Sequence, residues 1–203
     1  MVTRPLTPVV ASLMLLATLG GCAQSPGARV ASASSSFAGE VSAADPRAQE
    51  AGIAMLRQGG NATDAAIATM LALTVVEPQS SGIGGGGFFV RGSRDGVVAT
   101  LDGRETAPAG AFPEWFLDAA GKVPPFEQSQ ASGLSVGVPG NVALAWKAHQ
   151  QYGKLPWKAL FQPAIALARD GFVVNRQIFD ALSNEGALAR SSESGRNWLY
   201  RAD

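Results

Sequence analysis

At 203 residues the chain is long enough for one domain of ordinary size, and 46% hydrophobic against 16% charged residues is too apolar a balance for a disordered chain. Its 16 basic and 16 acidic residues cancel, which argues against a nucleic-acid-binding surface with its clustered basic excess. A single cysteine excludes an internal disulfide and, with a single histidine, leaves no plausible zinc site.

The N-terminus reads as an export signal. Arg4 precedes an apolar run at 9–19 (VVASLMLLATL), followed by Gly20-Gly21-Cys22. That run is too short to cross a bilayer as a stable helix. The ending Leu19-Gly20-Gly21-Cys22 resembles a bacterial lipobox, whose cysteine is lipidated and becomes the mature N-terminus. We therefore expect a lipoprotein signal peptide over 1–21 and an Ala/Ser-rich tether over 22–40. Cys22 would then anchor an exported, periplasmic protein to the membrane. The alternative is an ordinary signal peptide with a cysteine near its cut.

Asp45-Pro46 predicts a helix start, and Ala48, Ala51, Gly52, Met55 and Leu56 recur at helical spacing until Gly59-Gly60. Asn61 caps a second helix, with Asp64 answering as a capping box. Its stretch 65–76 (AAIATMLALTVV) is polar only at two threonines, which predicts burial on all sides. After Glu77-Pro78 and the run Ser81-Gly82-Ile83-Gly84-Gly85-Gly86-Gly87-Phe88, residues 88–91 and 97–101 predict a β-hairpin across Asp95-Gly96, central and buried. Residues 135–140 (SVGVPG) read as a short strand entering a turn, 141–152 as a helix ended by Gly153, and 156–169 as helical with a break at Pro163 and a stop at Gly171. Beyond Asn175 the pattern fades into a polar segment.

Gly82-x-Gly84-x-x-Gly87 has the spacing of a dinucleotide fingerprint in the wrong context, because a helix precedes it and a strand follows. A close-packed turn fits better. His149 lies in a helix with no G-x-S-x-G nucleophile signature, so it reads as a surface or partly buried helical side chain. Arg47 and Arg57 read as solvated helix-face charges, and the four tryptophans as packing residues. Arg104 sits in Leu101-Asp102-Gly103-Arg104-Glu105-Thr106-Ala107-Pro108, just past the second strand. A guanidinium there suits a carboxylate, which it matches in two parallel hydrogen bonds. Pairing of Arg104 with Glu105 or Asp102 is the structural alternative.

Several of these motifs in order resemble the γ-glutamyltransferase (γ-glutamyltranspeptidase, glutathione hydrolase) family. They are Gly59-Gly60-Asn61-Ala62-Thr63-Asp64-Ala65-Ala66, Val76-Glu77-Pro78, the glycine run, LDGRETAP, SVGVPG and Gly153-Lys154-Leu155-Pro156-Trp157. The resemblance implies an α+β fold, the αββα sandwich of N-terminal-nucleophile hydrolases, incomplete here, with 41–203 as the N-terminal part of the large subunit. It implies a precursor that cuts itself, and a new N-terminal threonine that attacks the γ-glutamyl amide of glutathione. Arg104 matches the arginine that binds the substrate α-carboxylate. No cofactor is implied; the partners are glutathione, other γ-glutamyl compounds and a small subunit of the same precursor. None of Thr63, Thr69, Thr74, Thr100 or Thr106 has a cleavage context, so the nucleophile is expected beyond residue 203 and this chain by itself is expected to be inactive. A non-catalytic lipoprotein that binds γ-glutamyl compounds is the alternative.

Overall fold

Asp45 starts the first helix, α1 (Pro46–Arg57), by accepting from the Arg47 backbone N–H at 2.8 Å, while Pro46 supplies a first-turn residue with no donor to satisfy. The chain leaves α1 through Gly59, whose φ of 85° lets the N–H groups of Gly59 and Gly60 close onto Leu56 and Met55 carbonyls. This computed structural model describes residues 39–184 and 186–200. The signal peptide, Cys22 and nearly all of the expected tether lie outside that span.

The second helix, α2 (Ala62–Val76), opens on the expected box: Asn61 Oδ1 accepts from Thr63 and Asp64 N–H groups, and Asp64 Oδ2 accepts from Asn61 N–H at 2.9 Å. Asp64 is fully buried, and its carboxylate also accepts from the backbone N–H groups of Lys154 and Leu155 at 3.0 to 3.3 Å. A cap of one helix thus holds a loop 90 residues away. Ile67, Ala68 and Leu71 of α2 bury against Met55 of α1, each large side chain contributing about 2 kcal/mol. The expectation of burial on all sides holds for most of the helix and fails at one stripe. Ala66 is exposed and Met70 and Leu73 half-buried, along a groove that they line with Leu56 and Ala62.

The hairpin is present as β1 (Gly87–Gly92) and β2 (Val98–Gly103), antiparallel, with Gly87 opposite Gly103 and Val90 opposite Thr100. Gly96, at φ 83°, turns the chain between them, and Ser93 N–H bonds Val97 O at 2.9 Å. Alternation puts Phe89 and Leu101 on the core and leaves Phe88, Val90 and Val98 about two-thirds exposed. The hairpin is therefore buried on one face only, a correction to the central, fully buried reading. The helix laid against it is chiefly the later α4 (Asn141–Tyr152). Phe89 stacks on Tyr152 with ring centroids 6.4 Å apart.

Between hairpin and α4 runs an irregular segment with one short helix, α3 (Phe126–Ala131), which sequence patterning did not suggest. The expected strand at 135–140 is reduced to a 3-10 turn (Gly133–Ser135) and a single bridge between Thr106 and Val138. Past α4 come α5 (Trp157–Leu160) and α6 (Gln162–Asp170), split where Pro163 enters the first turn of α6, and Gly171 at φ 77° ends them. Leu160 is completely buried, and Ala164 joins it in the main core.

The polar segment beyond Asn175 is helical: α7 (Arg176–Asn184), α8 (Gly186–Ser191) and α9 (Glu193–Leu199). Its anchor is Asn175, whose Nδ2 donates to Asp45 Oδ2 at 3.0 Å and Glu77 Oε1 at 3.2 Å, while its Oδ1 accepts from Ile178 N–H. Arg47 belongs to the same cluster and is not a solvated charge. It forks onto Asp45 with Nε and Nη2, donates Nη1 to Val173 O at 2.7 Å, and lies 4.6 Å over the Phe172 ring. Chiefly through the Arg47 hydrogen bond, the Asp45 carboxyl is held down at about 2 from an ordinary 3.8. Arg57 is exposed and pairs with Glu50, as its solvated reading requires.

Candidate functional site

Arg104 leaves the ladder directly after Gly103, the last residue of β2. Its backbone N–H bonds Asp102 Oδ1 at 2.9 Å, a local turn that swings the arginine out of the strand. Its Nε donates to Glu105 Oε2 at 3.0 Å. Among the described residues Nη1 and Nη2 have no partner, and the side chain is 61% exposed. Glu105 is kept below the usual carboxylate range first by its own backbone N–H and then by the Arg104 guanidinium, so it is an anion at neutral pH. The local pairing expected of Arg104 with its acidic neighbours is therefore present. Asp102 and Glu105 support the arginine, and the support uses only one edge of the fork.

The other edge is what a ligand can use. With Nε committed to Glu105, a carboxylate must approach end-on, one oxygen to each Nη, a geometry that only a planar guanidinium provides. Arg104 lines an open cavity of about 660 Å³ together with Glu105, Thr106, Ser135 and the aromatic wall of Phe112, Trp115 and Phe116. Trp115 is fixed there by Nε1–H donating to Leu134 O at 2.8 Å and by edge contact with Phe112 at 5.5 Å. The bridge between Thr106 and Val138, with N–H to O distances of 3.4 and 2.8 Å, ties the cavity's two margins. The sequence reading did not anticipate the aromatic wall, because single aromatics in an irregular segment carry no periodic signal.

The glycine run 82–87 forms the floor behind Arg104. A Cβ on Gly86 would lie 2.5 Å from Gly103 O and 2.6 Å from Glu105 Oε2, so only glycine permits this approach. The run is a tight turn entering β1, as its helix-before, strand-after order requires. Of the remaining candidates, His149 is half-buried on α4, with Nε2 2.8 Å from Leu155 O and its ring tilted on Trp157 at 5.2 Å, away from the cavity. Thr63 and Thr69 are buried in α2, Thr74 donates to Leu71 O, and Thr100 lies on the hairpin's outer face. Of the threonines among the described residues, Thr106 alone lines the cavity.

Comparison with known proteins bears on the same segments. The family model for gamma-glutamyltranspeptidase matches residues 48–202. Glutathione hydrolase 3 of Arabidopsis thaliana is 44% identical over 165 residues, 80% of this chain and 25% of that protein. The glutathione hydrolase proenzyme of Escherichia coli is 43% identical over 149 residues, 73% of this chain and 26% of its own. Among solved structures, Helicobacter pylori gamma-glutamyltranspeptidase superposes with a TM-score of 0.76 at 36% identity, covering 81% of this chain and 47% of that one. This chain thus spans about a quarter of the length of the curated relatives it matches. Its mixed helix-and-sheet architecture agrees with the α+β class of these neighbours. With three quarters of its length under the family model and a TM-score of 0.76 to a solved member, the chain belongs to the γ-glutamyltranspeptidase family.

Proposed function

We propose that this chain is the N-terminal part of the large subunit of a γ-glutamyl-transferring enzyme, in which Arg104 receives the α-carboxylate of glutathione and other γ-glutamyl donors. The observation that carries the reading is the guanidinium itself: Nε is held by Glu105, and the Nη edge lies unpaired on a cavity of about 660 Å³. The relatives' names, glutathione hydrolase among them, supply the donor class. The fold would be the αββα sandwich of N-terminal-nucleophile hydrolases. The exposed Phe88, Val90 and Val98 face supports this, since a sheet with one apolar open face fits a second layer.

The nucleophile, an N-terminal threonine, would come from the part of the precursor corresponding to the relatives' unmatched length. Its hydroxyl attacks the γ-carbonyl, its own α-amine takes the proton and passes it to the departing amine, and a γ-glutamyl ester remains. Water or an amino-acid amine then displaces the threonine oxygen. Arg104 contributes by fixing the donor's far end, so that the γ-carbonyl is presented in one orientation. Residues 1–21 would be a lipoprotein signal, Cys22 the lipidated N-terminus and 22–40 a tether that holds the folded part at the periplasmic membrane surface.

The test is Arg104→Ala and Arg104→Lys in the precursor that carries this chain. Loss of two charge-assisted hydrogen bonds, about 2–3 kcal/mol, lowers kcat/KM roughly 30- to 150-fold for Arg104→Ala. Lysine recovers part of it, since an ammonium cannot form the parallel pair. Glutathione and a γ-glutamyl anilide lose equally, because both present the same α-carboxylate. The 203-residue chain by itself turns over neither. Arg104-dependent turnover without a second polypeptide would overturn the mechanism.

A further inference from the structure

We propose that Asn141 is a positioning residue for Arg104. It sets the guanidinium by gripping the glycine run behind it, and it does not itself touch substrate. The inference rests on the functional reading of Arg104 above. Asn141 opens α4 and is 9% exposed. Its Nδ2 donates to Gly82 O at 2.7 Å, and the backbone N–H groups of Gly140 and Asn141 both donate to Gly85 O at 3.0 Å. Three donors at one helix start thus converge on two carbonyls of the run.

On its other side the run presses on the arginine's support. A Cβ on Gly86 would lie 2.6 Å from Glu105 Oε2, the same oxygen that accepts from Arg104 Nε. A Cβ on Gly140 would lie 2.0 Å from Gly103 O and 3.2 Å from Arg104 O, so the helix start also abuts the backbone that carries the arginine. Close-packed contacts transmit displacement because they have no slack. Without the Asn141 amide the Gly82 end of the run is released from α4, Glu105 loses the wall behind its carboxylate, and the guanidinium plane turns with it. The group must be a donor. Aspartate has the same shape but would set a carboxylate against the Gly82 carbonyl.

The test measures γ-glutamyl anilide kinetics in the precursor carrying Asn141→Ala or Asn141→Asp, each by itself and combined with Arg104→Ala. Misplacement of a binding group by a fraction of an ångström predicts a KM increase of about tenfold for Asn141→Ala, with the loss on KM and not on kcat. Combined with Arg104→Ala it adds nothing further, since both act through one contact. Should the precursor variants fail to mature, amide exchange on the 203-residue chain provides the second readout. Exchange at residues 82–87 and 104–106 should then quicken about tenfold, with α6 unchanged. An additive double variant, a loss confined to kcat, or unchanged exchange in the 104–106 segment overturns the proposal. If Arg104→Ala lowers kcat/KM and Asn141→Ala does not, this inference fails and the reading of Arg104 stands; if Arg104→Ala leaves kcat/KM unchanged, both fall.

Discussion

Gly85 and Gly86 are neighbours of identical chemistry that the structure separates. A methyl group on Gly86 would sit 2.5 Å from Gly103 O, 2.6 Å from Glu105 Oε2 and 2.7 Å from Glu105 N. Non-bonded contacts of this kind relax only at about 3.5 Å. Two of the three atoms are backbone at the end of β2 and cannot turn aside. On Gly85 the same methyl group would meet its nearest atoms at 3.5 Å, ordinary contact. Neither glycine has a positive φ, so the difference is steric and carries no backbone strain. Overpacking predicts a loss of about 3 kcal/mol for Gly86→Ala. Gly85→Ala should be neutral or gain up to about 1 kcal/mol, because alanine restricts the unfolded chain. Thermal unfolding followed by circular dichroism should then separate the two midpoints by roughly 6–12 °C for a domain of this size. Urea unfolding should give the same order with equal slopes. If the two variants fall within about 0.5 kcal/mol of each other, or Gly85→Ala is the weaker, the packing argument for the glycine floor is wrong.

Acid should expose the Asp45 cluster. Its carboxyl titrates at about 2 when folded against an ordinary 3.8, so the unfolded chain binds the proton more readily, and stability present above pH 3.8 is lost as pH falls through 2. The contribution is roughly 2 kcal/mol. Arg47→Met, which removes the hydrogen bond chiefly responsible for that depression, should lower stability at neutral pH and flatten the decline between pH 4 and 2; an unchanged acid limb would count against the pairing. At the N-terminus, Cys22→Ala should abolish acyl incorporation and move the protein from the membrane to the soluble fraction. A wild-type protein that is soluble, with some other mature N-terminal residue, would remove the lipoprotein reading.

The residues that act within a few positions of themselves were legible from the sequence. Asp45 with Pro46 and Asn61 with Asp64 start their helices through bonds that span two or three residues, and Gly96 and Gly171 turn the chain by their own φ. Alternation and helical spacing predicted the hairpin, α1, α2 and α4, and the arginine loop identified Arg104 because its motif is contiguous. Local order could not say what lies opposite. Asp64 reaches Lys154 across 90 positions, Asn141 reaches Gly82 across 59, and Asn175 joins Asp45 across 130. Arg47 was misread for the same reason: its helix position looks solvated until residues 172 and 173 pack over it. Past Asn175 the apolar stripe of α7, Ile178 with Ala181 and Leu182, is too short to stand out among polar neighbours, and the helix begins with a cap fixed by distant carboxylates. Sequence thus determined where α1, α2, α4 and the hairpin form and which guanidinium is the candidate, because those readings rest on hydrogen bonds, periodicity and motifs along the chain. Only the tertiary structure decided which edge of Arg104 is free, because that depends on where Glu105, the glycine run and the start of α4 meet in space.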